Sequence, residues 1–150
     1  MSGVVEALQA ALAAQFADTP QIALLLGDPL RLHASRDHRA AFPHASWGRA
    51  EISEKGGDGV RLAEVRLGLD VWYRDGDPGP VLEALADAVH ALAADPDLPE
   101  PVLPDPWRLV TLTPVYRDVF TTPERRMKRG VLRVKAVAGR DHPIDEGDLP

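Results

Sequence analysis

At 150 residues, with 45% hydrophobic and 27% charged side chains, the chain has the length of one domain with its own core and the composition of a soluble globular fold. It holds no cysteine, which excludes disulfides, iron–sulfur clusters and thiol nucleophiles and fits a reducing compartment. The formal net charge of −6 argues against a surface devoted as a whole to nucleic acid.

The chain opens on an amphipathic helix, with Val5, Leu8, Leu12 and Phe16 at spacings of three and four and alanines between them. Glu6 and Gln9 interrupt its apolar positions, and Met1-Ser2-Gly3 brings no positive region, so a signal peptide is not expected. Nor does any window approach the roughly 18 apolar residues of a membrane span. Asp18-Thr19-Pro20 is a helix-start signal, because Asp or Thr can cap and proline suits a first turn. A short helix from Pro20 to Leu26 then ends at Gly27, a left-handed C-terminal position. Leu30 to His33 is a short strand and Ser35 to Ala41 a polar loop.

Two long runs follow, Phe42 to Ser53 and Leu62 to Tyr73, largely alternating apolar and polar. In the second, Val65, Leu67, Leu69 and Val71 share one side, and Glu64, Arg66, Asp70 and Trp72 the other. Around the glycine-rich tip 54–59 this predicts a long antiparallel hairpin with one face on a core and one face free. Arg74 to Pro80 is turn-rich and starts a second main helix, whose stripe is Leu82, Leu85, Val89 and Leu92. Asp95 to Pro106 carries five prolines and reads as a rigid extended connection. Trp107 to Thr113 and Gly130 to Val137 are two further strands, with Pro114 at a strand end or bulge. The order predicts an α+β domain: a mainly antiparallel sheet with a long β-hairpin and two main helices packed on one face. The expected domain is 1–139, followed by an acidic, flexible tail at 140–150.

Catalytic chemistry finds little support. His33, His38 and His44 match no metal-ligand spacing and read as exposed loop and strand histidines, and His90 lies solvated on a polar helix flank. Asp75 and Asp77 suit turn and cap positions rather than a carboxylate pair with Asp70. Gly56-Gly57-Asp58-Gly59 joins two strands and opens no helix, so it lacks the geometry of a phosphate cradle. No nucleophile elbow is present. The residues therefore predict no enzyme, no cofactor and no metal. Arg125, Arg126, Lys128, Arg129, Arg133 and Lys135 concentrate six of the 17 basic residues in one stretch. Unpaired charges are too costly to bury, so these must face solvent, acidic groups of a neighbouring subunit, or DNA. With the tip residues Lys55, Gly56, Gly57 and Asp58 they form the candidate interface.

Several stretches in one order resemble a known family. They are Ala7 to Leu12 in the opening helix, Leu25 to Leu32, Ala41 to Gly48 entering the hairpin, and Leu67 to Asp75 leaving it. The helix Val81 to Ala93 and the closing Arg129 to Ala136 complete the series. Together, over residues 4 to 138, they resemble the tail-terminator (tail-completion) proteins of long non-contractile-tailed phages and alphaproteobacterial gene transfer agents. Arg117 to Lys128 departs from the pattern, where a shorter acidic-glycine turn is expected. The resemblance implies a hexameric homo-oligomeric ring that stops the tail tube at its head-proximal end and joins it to the head-closure proteins. Its implied partners are the tail tube protein, the head-closure or stopper protein and, passively, DNA in the lumen. It also implies residence in a phage-like particle assembled in the bacterial cytoplasm. The competing expectations are a head–tail connector or stopper of the same particle, and a small ligand-binding or enzymatic α+β domain.

Overall fold

In a computed structural model the described residues are 2–35, 41–56, 60–94, 101–123 and 126–141. They form three helices and five strands. In chain order these are α1 (Ser2–Ala17), α2 (Pro20–Leu26), β1 (Leu32–His33), β2 (His44–Lys55), β3 (Val60–Arg74), α3 (Gly79–Ala94), β4 (Trp107–Thr121) and β5 (Met127–Asp141). The strands make one sheet in the order β1-β2-β3-β5-β4. Every pairing is antiparallel except that of the two-residue β1 with β2. The expected α+β architecture, with its long hairpin, is what the chain adopts.

Alternation along β3 decides which face is covered. Ala63, Val65, Leu67, Leu69 and Val71 are buried, and the register sets Leu67 opposite Val134, Leu69 opposite Leu132 and Val65 opposite Ala136. A side chain added at Gly130, on this same face, would strike Pro78 and Leu82, which places α3 against it. The helix α3 buries Val81, Leu82, Leu85 and Val89 together with Ala84, Ala86 and Ala88, so small residues let it pack on the sheet and against its sister helices. The stripe of α1 is Val4, Leu8, Leu12 and Phe16, a strict fourth-residue row. It therefore begins at Val4 rather than Val5, which is only partly buried.

Local chemistry accounts for the boundaries. Pro20 occupies the first turn of α2, and Thr19 is extended, with φ −98° and ψ 111°. The Thr19 hydroxyl does not cap α2; it donates to the Gln15 carbonyl of the preceding helix at 2.7 Å. Gly27 has φ +93° as its glycine suggested, but ψ 166° carries the chain away from the left-handed helical basin.

β4 and β5 are longer than their alternation indicates. β4 continues through Thr121 and β5 begins at Met127, so most of Arg117 to Lys128 is paired strand with a short turn. The register of β4 shifts between Leu109 and Thr111 and again between Pro114 and Tyr116. Each bulge flips the side-chain phase, which ends the period-two signal near Thr113 while the ladder carries on. Pro114 stands at the second bulge, on an edge strand, where a missing donor is tolerated. β5 extends to Asp141, and residues 142–150 lie outside the described ones.

Candidate interaction surface

Among the described residues no helix lies on the second face of the sheet, and that face carries most of the ion pairs these residues make. β3 supplies Glu64, Arg66, Asp70 and Trp72, and β5 supplies Arg129, Arg133 and Lys135. The register sets Trp72 opposite Arg129, Gly68 opposite Arg133 and Arg66 opposite Lys135. Cross-strand neighbours on one face stand about 4.5–5.5 Å apart, so these side chains must come to terms with one another.

At one end, Trp72 is only 8% exposed. Its indole N–H donates to the buried Ser46 hydroxyl at 3.1 Å. The Arg129 guanidinium lies 5.7 Å from the Trp72 ring centroid and donates to Asp70 Oδ1 at 2.8 Å. The free face of β3 thus ends in a sealed aromatic rather than an exposed one. In the middle, Glu64 gathers three cations: Lys135 at 3.0 Å, Arg66 at 3.5 Å and Lys55 at 3.8 Å. The Lys135 hydrogen bond, outweighing partial desolvation and helped by the charges of Lys55 and Arg66, holds the Glu64 carboxyl below its ordinary value. Beside it, Arg133 has no carboxylate partner among the described residues, and its guanidinium sits 5.1 Å from the Tyr116 ring centroid. The Tyr116 hydroxyl donates to Asp118 at 3.1 Å, and its phenol is pushed up by burial first and by Asp118 second.

Two glycines open a hollow in this face. Between Trp47 and Ala50, β2 sets Gly48 and Arg49 against Gly68, a bulge with no Cβ from Gly48 or Gly68. A Cβ at Gly48 would come within 3.1 Å of an Asp70 oxygen, so the sheet surface is lowest where β2 meets β3. The resulting cavity of about 300 Å³ has Gly48, Gly68, Val115 and Val131 in its wall and Arg49, Arg66, Arg129 and Arg133 around it. Apolar side chains continue the surface along the edge strand: Val115, Tyr116 and Phe120 are 50%, 40% and 43% exposed.

The sequence-based candidates divide. Lys55, Arg129, Arg133 and Lys135 come together on this face. Lys128 projects from the other one, since it alternates with Arg129. Arg126 lies in the β4–β5 turn and makes a forked ion pair with Asp75, whose carboxyl it holds low while its own guanidinium is raised. Gly56 is exposed, with φ +151°, while Gly57, Asp58 and Arg125 lie outside the described residues. The residues missed are Arg49 and Arg66 on the rim and Val115, Tyr116 and Phe120 beside it. Arg66 was legible, because the alternation of β3 already set it beside Glu64 and Asp70.

Of the histidines, His90 is exposed as expected, but His44 is 1% exposed instead of surface-lying. It begins β2 with its Nδ1 3.2 Å from the Ala41 carbonyl and its ring edge-on to His33. His38 lies outside the described residues. Among the described residues no group of three or more His, Cys, Asp or Glu side chains is placed to hold a metal ion. No described helix is long and apolar enough to cross a membrane.

No curated protein matches the chain. A chain from the solved structure titled "Virion of native gene transfer agent (GTA) particle" shares its fold with a TM-score of 0.74 at 21% identity, over 93% of this chain and 99% of that one. The family model described as tail completion protein gp17 matches residues 10–139, which takes in six of the eight elements whole, half of α1 and all of β5 but Arg140 and Asp141. The chain belongs to the tail completion protein gp17 family.

Proposed function

We propose that this protein is a structural component of a phage-like particle that closes the head-proximal end of the tail tube as a ring of six copies. One side of the ring meets the last tube ring, and the other meets the head-closure protein. The family match over residues 10–139 carries the reading, because it spans almost the whole sheet. The shared fold with a chain of a gene transfer agent virion supports it. So does the chemistry of the uncovered sheet face: Glu64 and Asp70 are held in ion pairs, while Arg133 and the apolar Val115 and Phe120 stand exposed and suited to docking. Assembly takes place in the bacterial cytoplasm, the finished protein resides in the particle, and DNA passes the ring without being read.

Deleting the gene in a particle-producing host tests this directly. Electron micrographs should show tails of unregulated length and heads without tails. Tails of normal length joined to heads would refute the terminator role. Image classes of complete particles showing twofold or fivefold symmetry for this protein would refute the six-copy ring.

A further inference from the structure

We propose that copies of this chain join head to tail, with Leu24 on α2 of one copy seated in the arginine-rimmed hollow of the next and Glu83 and Asp87 facing that copy's arginines. This rests on the ring reading above and names the contact that would build it.

Charge gives the first observation. The three helices and the α1–α2 turn carry Glu6, Asp18, Glu83 and Asp87 and not one lysine or arginine. The uncovered sheet face carries Arg49, Lys55, Arg66, Arg129, Arg133 and Lys135 against Glu51, Glu64, Asp70 and Asp118. The helices and the uncovered sheet face of one molecule are therefore of opposite sign. Glu83 and Asp87, one turn apart on the exposed side of α3, have no ion-pair partner among the described residues, and neither does Arg133.

Shape gives the second, independent observation. Leu24 is 86% exposed, the most exposed large apolar side chain among the described residues. Together with Gln21 and Pro80 it borders the same surface groove as Glu83 and Asp87, so an apolar knob stands beside two carboxylates. The hollow on the other layer is the converse: about 300 Å³, apolar at Val115 and Val131, lowered by Gly48 and Gly68, and rimmed by Arg66 and Arg133. An apolar cavity of about 150 Å³ already admits benzene, so a leucine side chain fits with room for its flanks. Knob and hollow lie on opposite layers. A contact between them cannot be two-fold, and it repeats from copy to copy until rotation closes it.

The absence of cysteine makes disulfide trapping clean. Leu24→Cys and Val115→Cys replace exposed side chains, and unchanged thermal melts of each full-length chain confirm folding. Mixing the two single variants and oxidising them should give a dimer of one chain of each kind. A chain carrying both changes should give a ladder of cross-linked multimers, in concentrated protein or in particles assembled with it. Adding Glu83→Arg with Asp87→Arg should lower the cross-linked yield roughly tenfold or more, since closely apposed charges that become like repel. Reversing Arg133→Glu on the facing copy should restore at least half of that yield. Particles that show a six-fold ring at the tail end but no bond between positions 24 and 115 would overturn the docking and leave the ring reading intact. Particles with no ring of this protein would overturn both. A bond between identical positions only would show two-fold pairing and overturn the proposal.

Discussion

Replacing Gly130 by alanine tests how α3 is seated on the sheet. The added Cβ would lie 2.9 Å from Pro78 Cβ and 3.0 and 3.2 Å from the two methyls of Leu82. Cβ contacts below 3.0 Å are essentially never seen, and Pro78 is held in its ring just before α3, so it cannot swing aside. Leu82 is 1% exposed and equally confined. The first turn of α3 must therefore back away from β5. Overpacking of this kind costs roughly 1–3 kcal/mol. The backbone at Gly130 is not in the positive-φ region, so alanine also stiffens the unfolded chain and returns about 0.4–1 kcal/mol. The net loss is centred on ~1.3 kcal/mol, or roughly 3–5 °C in Tm for a chain of this length.

Urea unfolding followed by circular dichroism measures it, with an unchanged m value showing that the native state is otherwise intact. Gly139→Ala is the control. There the nearest atom is Val110 Cγ2 at 3.3 Å, on a valine half exposed at the sheet edge that can yield, so stability should stay level. Adding Leu82→Ala to Gly130→Ala should cost less than the two separate losses, because the smaller residue makes room for the methyl. A Gly130→Ala protein as stable as the parent would refute the close seating of α3 on β5.

Trp72→Phe removes the indole donor and leaves the buried Ser46 hydroxyl without it, at a cost of about 1–3 kcal/mol in the urea midpoint; adding Ser46→Ala should recover part of the loss. Glu64 and Asp75 both ionise below their ordinary values of 4.5 and 3.8. The stability they confer is thus complete above those values and is lost as pH falls through the lower folded ones. Lys135→Gln with Arg126→Gln should therefore flatten the acid limb of stability measured between about pH 5 and pH 2. Arg133→Gln, on the uncovered face and in no ion pair among the described residues, should barely move Tm yet lower the yield of joined particles, and unchanged yield would make Arg133 an ordinary solvated charge.

How much the sequence disclosed varies from element to element for physical reasons. β3 was legible because its alternation runs without a bulge, so each residue's face followed from its position. β4 was legible only to Thr113, because the bulges at Val110 and Val115 change the phase and the exposed Val119 and Phe120 give no apolar-in signal. Composition gathered the cations of β5 but not their partners. Arg129 finds Asp70 across 59 positions, and Lys135 finds Glu64 only because β3 and β5 pair in the register Arg66 opposite Lys135. The hollow was hidden for a similar reason: Gly48 and Gly68 each look like an unremarkable strand glycine until the bulge opposes them. The burial of His44 was out of reach as well, since it depends on where the chain enters β2.

The division of charge between the layers limits how such a protein can pair with itself. A two-fold contact places a surface against its own copy. Helix layer against helix layer would bring Glu83 and Asp87 towards their equivalents with no lysine or arginine among the described helical residues to compensate. Sheet face against sheet face would bring together the two copies of Arg133, neither of which has a carboxylate among the described residues to neutralise it. Like charges brought into apposition cost free energy, and desolvation raises the cost. Contacts between unlike layers avoid both penalties, and only these leave each copy with one used and one unused surface of each kind until a ring closes. The tube-stopping ring proposed above needs this directionality, since a pairing that satisfied both copies at once would end at a dimer.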